Sequence, residues 1–227
     1  KLPLRNIIAA TQPDAEKRVL LCAHWDSRPW ADNDPDASHW SEPVMAANDG
    51  ASGVAVMLEI ARLAAACDTL QFGIDFICFD VEDYGHSGDN DSWCLGSTHW
   101  SMNKHRADYA ARYGILFDMV GGRGARFAQE GYSMHYARPV VARLWQIARQ
   151  IGYSSYFVPQ TGGVATDDHV PVNQIAGIPC IDIIPHHEDG PSSFGPTWHT
   201  VNDTPDNIDP STLKAVGQSV VQMLWNN

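Results

Sequence analysis

The sequence predicts a three-layer α/β fold, in which a central twisted sheet, mixed but mostly parallel, is flanked by helices. Three observations lead there. Short apolar runs alternate along the chain with segments of helical spacing, the pattern of a sheet layered with helices. The strand-like runs are apolar almost throughout, as strands covered on both faces are. The 227 residues are enough for one domain with a sizeable core, and residues 1–227 are read as a single domain.

The elements follow in order. Residues 19–23, Val-Leu-Leu-Cys-Ala, are wholly apolar and read as the first of these strands. Residues 51–66 carry helical spacing directly after Asn48-Asp49-Gly50, and Asp49 is a plausible cap for that helix. Residues 72–79 form the next strand and run into Asp80-Val81-Glu82-Asp83. Residues 115–119 form a third strand that closes on Asp118, and residues 138–151 a second helix. Residues 179–184 are the last strand. Residues 211–225 are the last helix, with Asp209 as its cap and Pro210 tolerated in its first turn. Three stretches between these elements are long, polar and turn-rich: 27–43, 84–93 and 186–197. Loops of that length inside a compact domain are usually functional or disordered, and each adjoins a candidate site residue, so they read as rims of an active site.

Composition narrows the function. With 44% hydrophobic and 19% charged residues the chain is ordinary globular protein, and its net charge of −12 argues against nucleic acid or anionic membrane as a partner. No run is long enough to span a bilayer and no signal peptide is present. Lys1 opens the chain where a Met would stand, so an upstream segment is expected. The five cysteines make no CxxC or Cys/His zinc spacing. Cys22, Cys78 and Cys180 lie in apolar runs, whereas Cys67 and Cys94 fall near element ends and could pair.

Four segments carry the chemistry: His24-Trp25-Asp26, Asn48-Asp49-Gly50, Asp80-Val81-Glu82-Asp83 and Trp198-His199-Thr200. In open α/β sheets ligands bind beyond the carboxyl ends of the strands. His24, Asp26, Glu82, Asp83 and Asp118 all follow or close strands, so folding brings them to one edge. Carboxylate and imidazole are the donors of a catalytic zinc site, which uses about three of them and leaves a position open. Adjacent strand-end residues point in different directions, so one of Glu82 and Asp83 can bind metal while the other shuttles protons. Each residue also has a plain structural use as a turn or helix cap; it is their joint occurrence that points to hydrolytic or acyl-transfer chemistry at a metal.

Other motifs rank lower. His186-His187-Glu188-Asp189 has metal-binding residue types, but adjacent histidines seldom share one ion. Asp89-Asn90-Asp91 is half of a calcium loop without its terminal Glu. Gly121-Gly122-Arg123-Gly124 matches no phosphate-binding pattern, and there is no GxSxG elbow.

Leu20-Leu-Cys-Ala-His24-Trp-Asp26-Ser27, Ala47-Asn-Asp49-Gly-Ala-Ser-Gly53, Phe79-Asp-Val-Glu82-Asp83 and Leu95-Gly-Ser97 resemble the zinc aminopeptidase-like fold. Within it, residues 162–171, Gly-Gly-Val-Ala-Thr-Asp-Asp-His-Val-Pro, and residues 198–203, Trp-His-Thr-Val-Asn-Asp, resemble the animal-type glutaminyl cyclases, in their bacterial form. The resemblance runs over nearly the whole chain. It implies one Zn²⁺ held by Asp49, Asp83 and His199, with Asp83 standing where vertebrate members carry Glu. It implies Glu82 as general acid/base, and Asp118 and Asp167 as the further acidic residues of the catalytic network. Trp198 and Phe194 would shape the substrate pocket, Trp93 would be its other aromatic wall, and Thr166 replaces a longer polar side chain. A cis peptide at Asp49–Gly50 is also expected, as is placement of His24 behind the ligands. The implied reaction is cyclisation of N-terminal Gln of peptides and proteins to pyroglutamate with release of ammonia. A monomer exported to the periplasm or cell envelope is expected.

Two rivals remain at this point. His24, Asp118 and Glu82, with Asp49 bridging, are also the residue types of a dizinc aminopeptidase. Against it stand Asp167, where such enzymes commonly carry a small residue, and Trp198 directly before the last histidine. A binding domain that has lost its chemistry fits poorly with an intact Asp49, Glu82, Asp83 and His199.

Overall fold

The computed structural model describes residues 3–67, 70–187, 189 and 192–226. In chain order its strands and helices are β1 (Ile7–Ala10), β2 (Arg18–His24), α1 (Ala51–Ala65), β3 (Gly73–Phe79), α2 (Leu95–Met102), β4 (Gly114–Phe117), β5 (Phe127–Gln129), α3 (Gly131–Tyr136), α4 (Arg138–Gln150), β6 (Phe157–Thr161), α5 (His169–Gln174), β7 (Cys180–Ile183) and α6 (Pro210–Trp225). Five strands make the main sheet in the order β1-β3-β2-β4-β7. Only β1 runs antiparallel to its neighbour; β2, β3, β4 and β7 are mutually parallel. The sheet is therefore mixed and mostly parallel, as expected, and β5 and β6 pair separately beside it.

The two-residue period of a strand divides β2 between two cores. Val19, Leu21 and Ala23 face the larger core with α1, α4 and α6, whereas Leu20 and Cys22 face a smaller one with Trp100 of α2 and Val172 of α5. Helices cover both faces, which is why the central strands are apolar almost throughout. Asp209 caps α6, accepting from the Ser211 N–H at 2.8 Å. Asp49 does not cap α1; Gly50 occupies that position.

The elements that sequence periodicity did not resolve are short. Helices α2, α3 and α5 have 8, 6 and 6 residues, and β1 and β5 have 4 and 3. About two turns of helix, or fewer, leave little periodicity to read. Two further expectations are corrected. No cis peptide bond occurs among the described residues; the chain reverses at Gly50 instead through a positive φ of 98°. A Cβ there would lie 2.8 Å from the Asp26 carbonyl oxygen, so only glycine fits. Nor does a disulfide join Cys67 and Cys94. Cys94 turns its thiol to Glu82, whereas the Trp225 indole donates to Cys67 Sγ at 3.2 Å on another part of the molecule.

Candidate metal centre and active site

The parallel strands β2, β3 and β4 end at one edge, and the chemistry-bearing residues leave them there. The turns are tied by carboxylates. Asp26, just past β2, accepts from the N–H groups of both Glu82 and Asp83, at 3.1 Å each. Asp203 accepts from the N–H groups of Asn48 and Asn48's neighbour Asp49, at 2.8 and 3.0 Å. Backbone strain gathers here as well: Val81, Cys94, Met119 and His199 are non-glycine residues at φ between 49° and 56°. Such conformations cost energy and persist where the surroundings enforce them, characteristically at functional sites.

Nine residues read from the sequence as metal, catalytic or pocket residues line one pocket: Asp49, Glu82, Asp83, Trp93, Asp118, Asp167, Phe194, Trp198 and His199, with Thr166, Met119 and Ile184 beside them; His24 and Asp26 lie outside its lining. A roomier groove lies between α1 and α6, but it is lined mostly by aliphatic side chains such as Val56, Ile60, Leu63 and Val221 and is remote from this chemistry. His186 and His187 line a different cavity, with Arg126; Glu188 lies outside the described residues. Asp89 of the half calcium loop caps its own short turn, accepting from the Asp91 N–H at 3.2 Å.

Asp49, Asp83 and His199 converge and are all buried. His199 Nε2 lies 2.9 Å from Asp83 Oδ1 and 3.6 Å from Asp49 Oδ2. Asp49 Oδ2 and Asp83 Oδ2 are buried without any hydrogen-bond partner. Burial, and then the Asp49 charge, push the Asp83 carboxyl up to about 6, against the pull of His199. Two buried carboxylates with orphaned oxygens beside an imidazole are costly alone and suit a divalent cation. The donor types are those of a three-ligand zinc site.

A second group shares Asp49. His24 Nε2 lies 3.1 Å from Asp49 Oδ1 and 3.2 Å from Asp118 Oδ1, and His24 Nδ1 faces Asp26 Oδ1 at 3.5 Å. Burial opposes its charge, but these three carboxylates more than compensate and raise its pKa well above the ordinary value. His24 thus links Asp49 and Asp118.

Three further acids face the pocket. Burial, then Asp83 and Asp167, raise the Glu82 carboxyl well above the usual range despite nearby His24. The Cys94 thiol donates to Glu82 Oε1 at 3.4 Å. Asp118 is pushed up to about 8, by burial first and then by Asp167. Asp167, also raised by burial, accepts from the Asp168 N–H at 2.5 Å. A group of carboxyls with such displaced pKa values in a cleft can take, hold and return a proton near neutral pH.

Aromatic rings close the pocket. The Trp198 ring stacks on His199, centroids 3.8 Å apart, and Phe194 packs on Trp198 at 5.0 Å. Trp93 lies nearly parallel to the His199 ring at 6.0 Å.

Several residues went unnoticed in the sequence. Asp182 sits inside β7, fully buried. Behind it His169 meets Glu130 Oε2 at 3.1 Å and Asp182 Oδ2 at 3.8 Å. A charged residue in the otherwise apolar run Cys180–Ile183 was a usable signal. Arg28 and Asp32, in the loop after β2, carried none.

Comparison with known proteins bears on the fold and the family. The model of peptidase family M28 matches residues 6–224. The crystal structure of Porphyromonas gingivalis glutaminyl cyclase superposes with a TM-score of 0.97 at 49% identity, covering 99% of this chain and 78% of that one. Bovine glutaminyl-peptide cyclotransferase is 28% identical over 243 residues, covering 92% of this chain. Aminopeptidase YwaD of Bacillus subtilis is 26% identical over 238 residues, covering 97%. The chain spans 62% of the length of the bovine protein and 44% of the Bacillus one. On the family match, the fold and these relatives, the chain belongs to peptidase family M28 and groups within it with the glutaminyl cyclases.

Proposed function

We propose that the chain is a zinc-dependent glutaminyl-peptide cyclotransferase. It would convert the N-terminal Gln of peptides and proteins to pyroglutamate and release ammonia. The observation that carries this reading is Asp167 in one pocket with Glu82, Asp118 and the Trp198–His199 stack. A hydrolase needs room for a water nucleophile, whereas a cyclase needs an enclosed pocket and a proton carrier between two nitrogens of one substrate.

Asp49, Asp83 and His199 would hold one zinc ion, which supplies Lewis acidity to a carbonyl oxygen when bound. Glu82 takes the proton from the substrate α-amine as its nitrogen bonds to the γ-carboxamide carbon. As the carbon–nitrogen bond of the amide breaks, Glu82 returns the proton to the departing ammonia. Its raised pKa suits both halves of that task. Asp118 and Asp167 orient Glu82 and the leaving nitrogen. Trp198, Phe194 and Trp93 fold the glutamine chain toward attack geometry and exclude competing water.

One observation favours a second reading, a dizinc aminopeptidase: His24, Asp49 and Asp118 form a ligand-like group of their own. Metal counting by mass spectrometry, with ammonia release from Gln-peptides and cleavage of Leu-anilides measured on the same sample, separates the two. One zinc with cyclisation supports the proposal; two zincs with Leu cleavage and no cyclisation would overturn it. Location in the periplasm or cell envelope is part of the proposal and is tested by cell fractionation.

A further inference from the structure

The loop after β2, the most distinctive polar stretch of the sequence, has no part in the reaction described above, yet it contains a fully buried guanidinium. Arg28 is 1% exposed. Its Nε and Nη2 donate to Asp32 Oδ1 and Oδ2 at 3.0 and 2.6 Å, a two-point pairing. Its Nη1 donates to the main-chain oxygens of Asp83 and Gly85, at 2.7 and 2.9 Å. The indole rings of Trp30 and Trp93 cover the guanidinium at 5.0 and 4.8 Å.

Three of these contacts lead to a zinc ligand: those with the Asp83 carbonyl, Asp32 and Trp93. The Asp83 carbonyl belongs to a ligand residue, and Arg28 Nη1 lies 3.8 Å from Asp83 Oδ1 as well. Asp32 Oδ1 lies 3.7 Å from His199 Nδ1, the ring nitrogen on the far side from the one that meets Asp83. The Trp93 ring lies 4.8 Å from the guanidinium carbon and also lies along the His199 ring. We infer that Arg28 is a positioning residue for the zinc site. It fixes Asp83 directly through its carbonyl, and it fixes His199 through Asp32 and Trp93.

The physical argument is one of outer partners. A ligating histidine is oriented, and its basicity raised, by a carboxylate on its other nitrogen. Asp32 is 36% exposed and on a loop, so by itself it would not be held. The buried guanidinium holds it in register. Lysine could not replace it, because only the planar fork serves a carboxylate and two carbonyls while lying against two indole rings.

The test is zinc affinity, measured by competition with a chromophoric chelator on the wild type, Asp32→Asn and Arg28→Lys, alongside thermal melting of each metal-free protein. Both variants should bind zinc about 10- to 100-fold more weakly, a loss larger than their fall in metal-free melting accounts for, with activity restored by excess zinc. Zinc affinity equal to wild type, or loss of affinity only in proportion to loss of metal-free melting temperature, would overturn the inference. Should Arg28→Lys fail to fold, Asp32→Asn decides, since its side chain reaches solvent. The inference rests on the zinc assignment and not on the reaction. A wild type that binds zinc but does not cyclise Gln would remove the proposed function and leave this claim standing. A wild type that binds no zinc would overturn this one.

Discussion

Asp118→Asn should make the metal-free protein more stable while disabling the enzyme. Asp118 is 6% exposed, lies near Asp167 and Asp49, and has its carboxyl pushed from 3.8 up to about 8. At pH below 3.8 the group is protonated in both the folded and unfolded chain and contributes no difference. As pH rises above 3.8 the unfolded chain ionises and the folded one does not, so folding stability falls. The loss accrues at about 1.4 kcal/mol per pH unit and stops near pH 8, where both states are ionised. At pH 7 that amounts to about 4 kcal/mol. Asparagine keeps the shape, and its Oδ1 can still accept from His24, but it has no charge to desolvate. Urea unfolding of the two metal-free proteins between pH 4 and pH 8 should show equal stability at the acid end and a widening advantage for the variant above it. Turnover of a Gln-peptide should meanwhile fall by about 100-fold or more, the usual scale of a proton-transfer group. A variant no more stable than wild type at pH 7, or a difference independent of pH, would refute the electrostatic account of this pocket.

Three other outcomes are expected. Glu82→Gln should lower kcat by about 100- to 10,000-fold with zinc content intact by mass spectrometry; full activity would remove Glu82 from the proton path. Asp83→Ala or His199→Ala should lose stoichiometric zinc on dialysis, whereas Phe194→Ala should keep it and act on KM. Asp75→Ala should destabilise by about 3–5 kcal/mol in chemical denaturation, because it strands the buried Arg18 guanidinium now paired to both Asp75 oxygens at 2.6 and 2.8 Å.

The first and last helices were legible from spacing because each is long enough to show its period and buries a face in the core, and the four parallel strands were legible as nearly unbroken apolar runs. His24, Asp26, Glu82, Asp83 and Asp118 were legible for a related reason: polar residues placed where apolar strands end have few other uses, and parallel strands deliver them to one edge. Short α2, α3 and α5 were not legible; their ends are set by contacts such as Glu130 accepting from the Tyr132 and Ser133 N–H groups, not by periodicity. The Asp49–Gly50 turn shows the same limit. The need for glycine was visible, but whether the chain turned at a peptide bond or at φ depended on the Asp26 carbonyl packed against it.

By itself, then, the sequence determined the layered fold and the edge at which ionisable residues gather, since both follow from local patterns of apolar and ionisable residues, whereas the particular set of carboxylates and imidazole was read from the resemblance of its motifs to a known family. The tertiary structure alone decided how those groups are charged and held. Asp182, His169 and Glu130 behind Asp167, and Arg28 with Asp32 behind Asp83 and His199, come from segments distant in sequence. Their effect depends on burial and on separations of a few ångströms, which no linear spacing encodes.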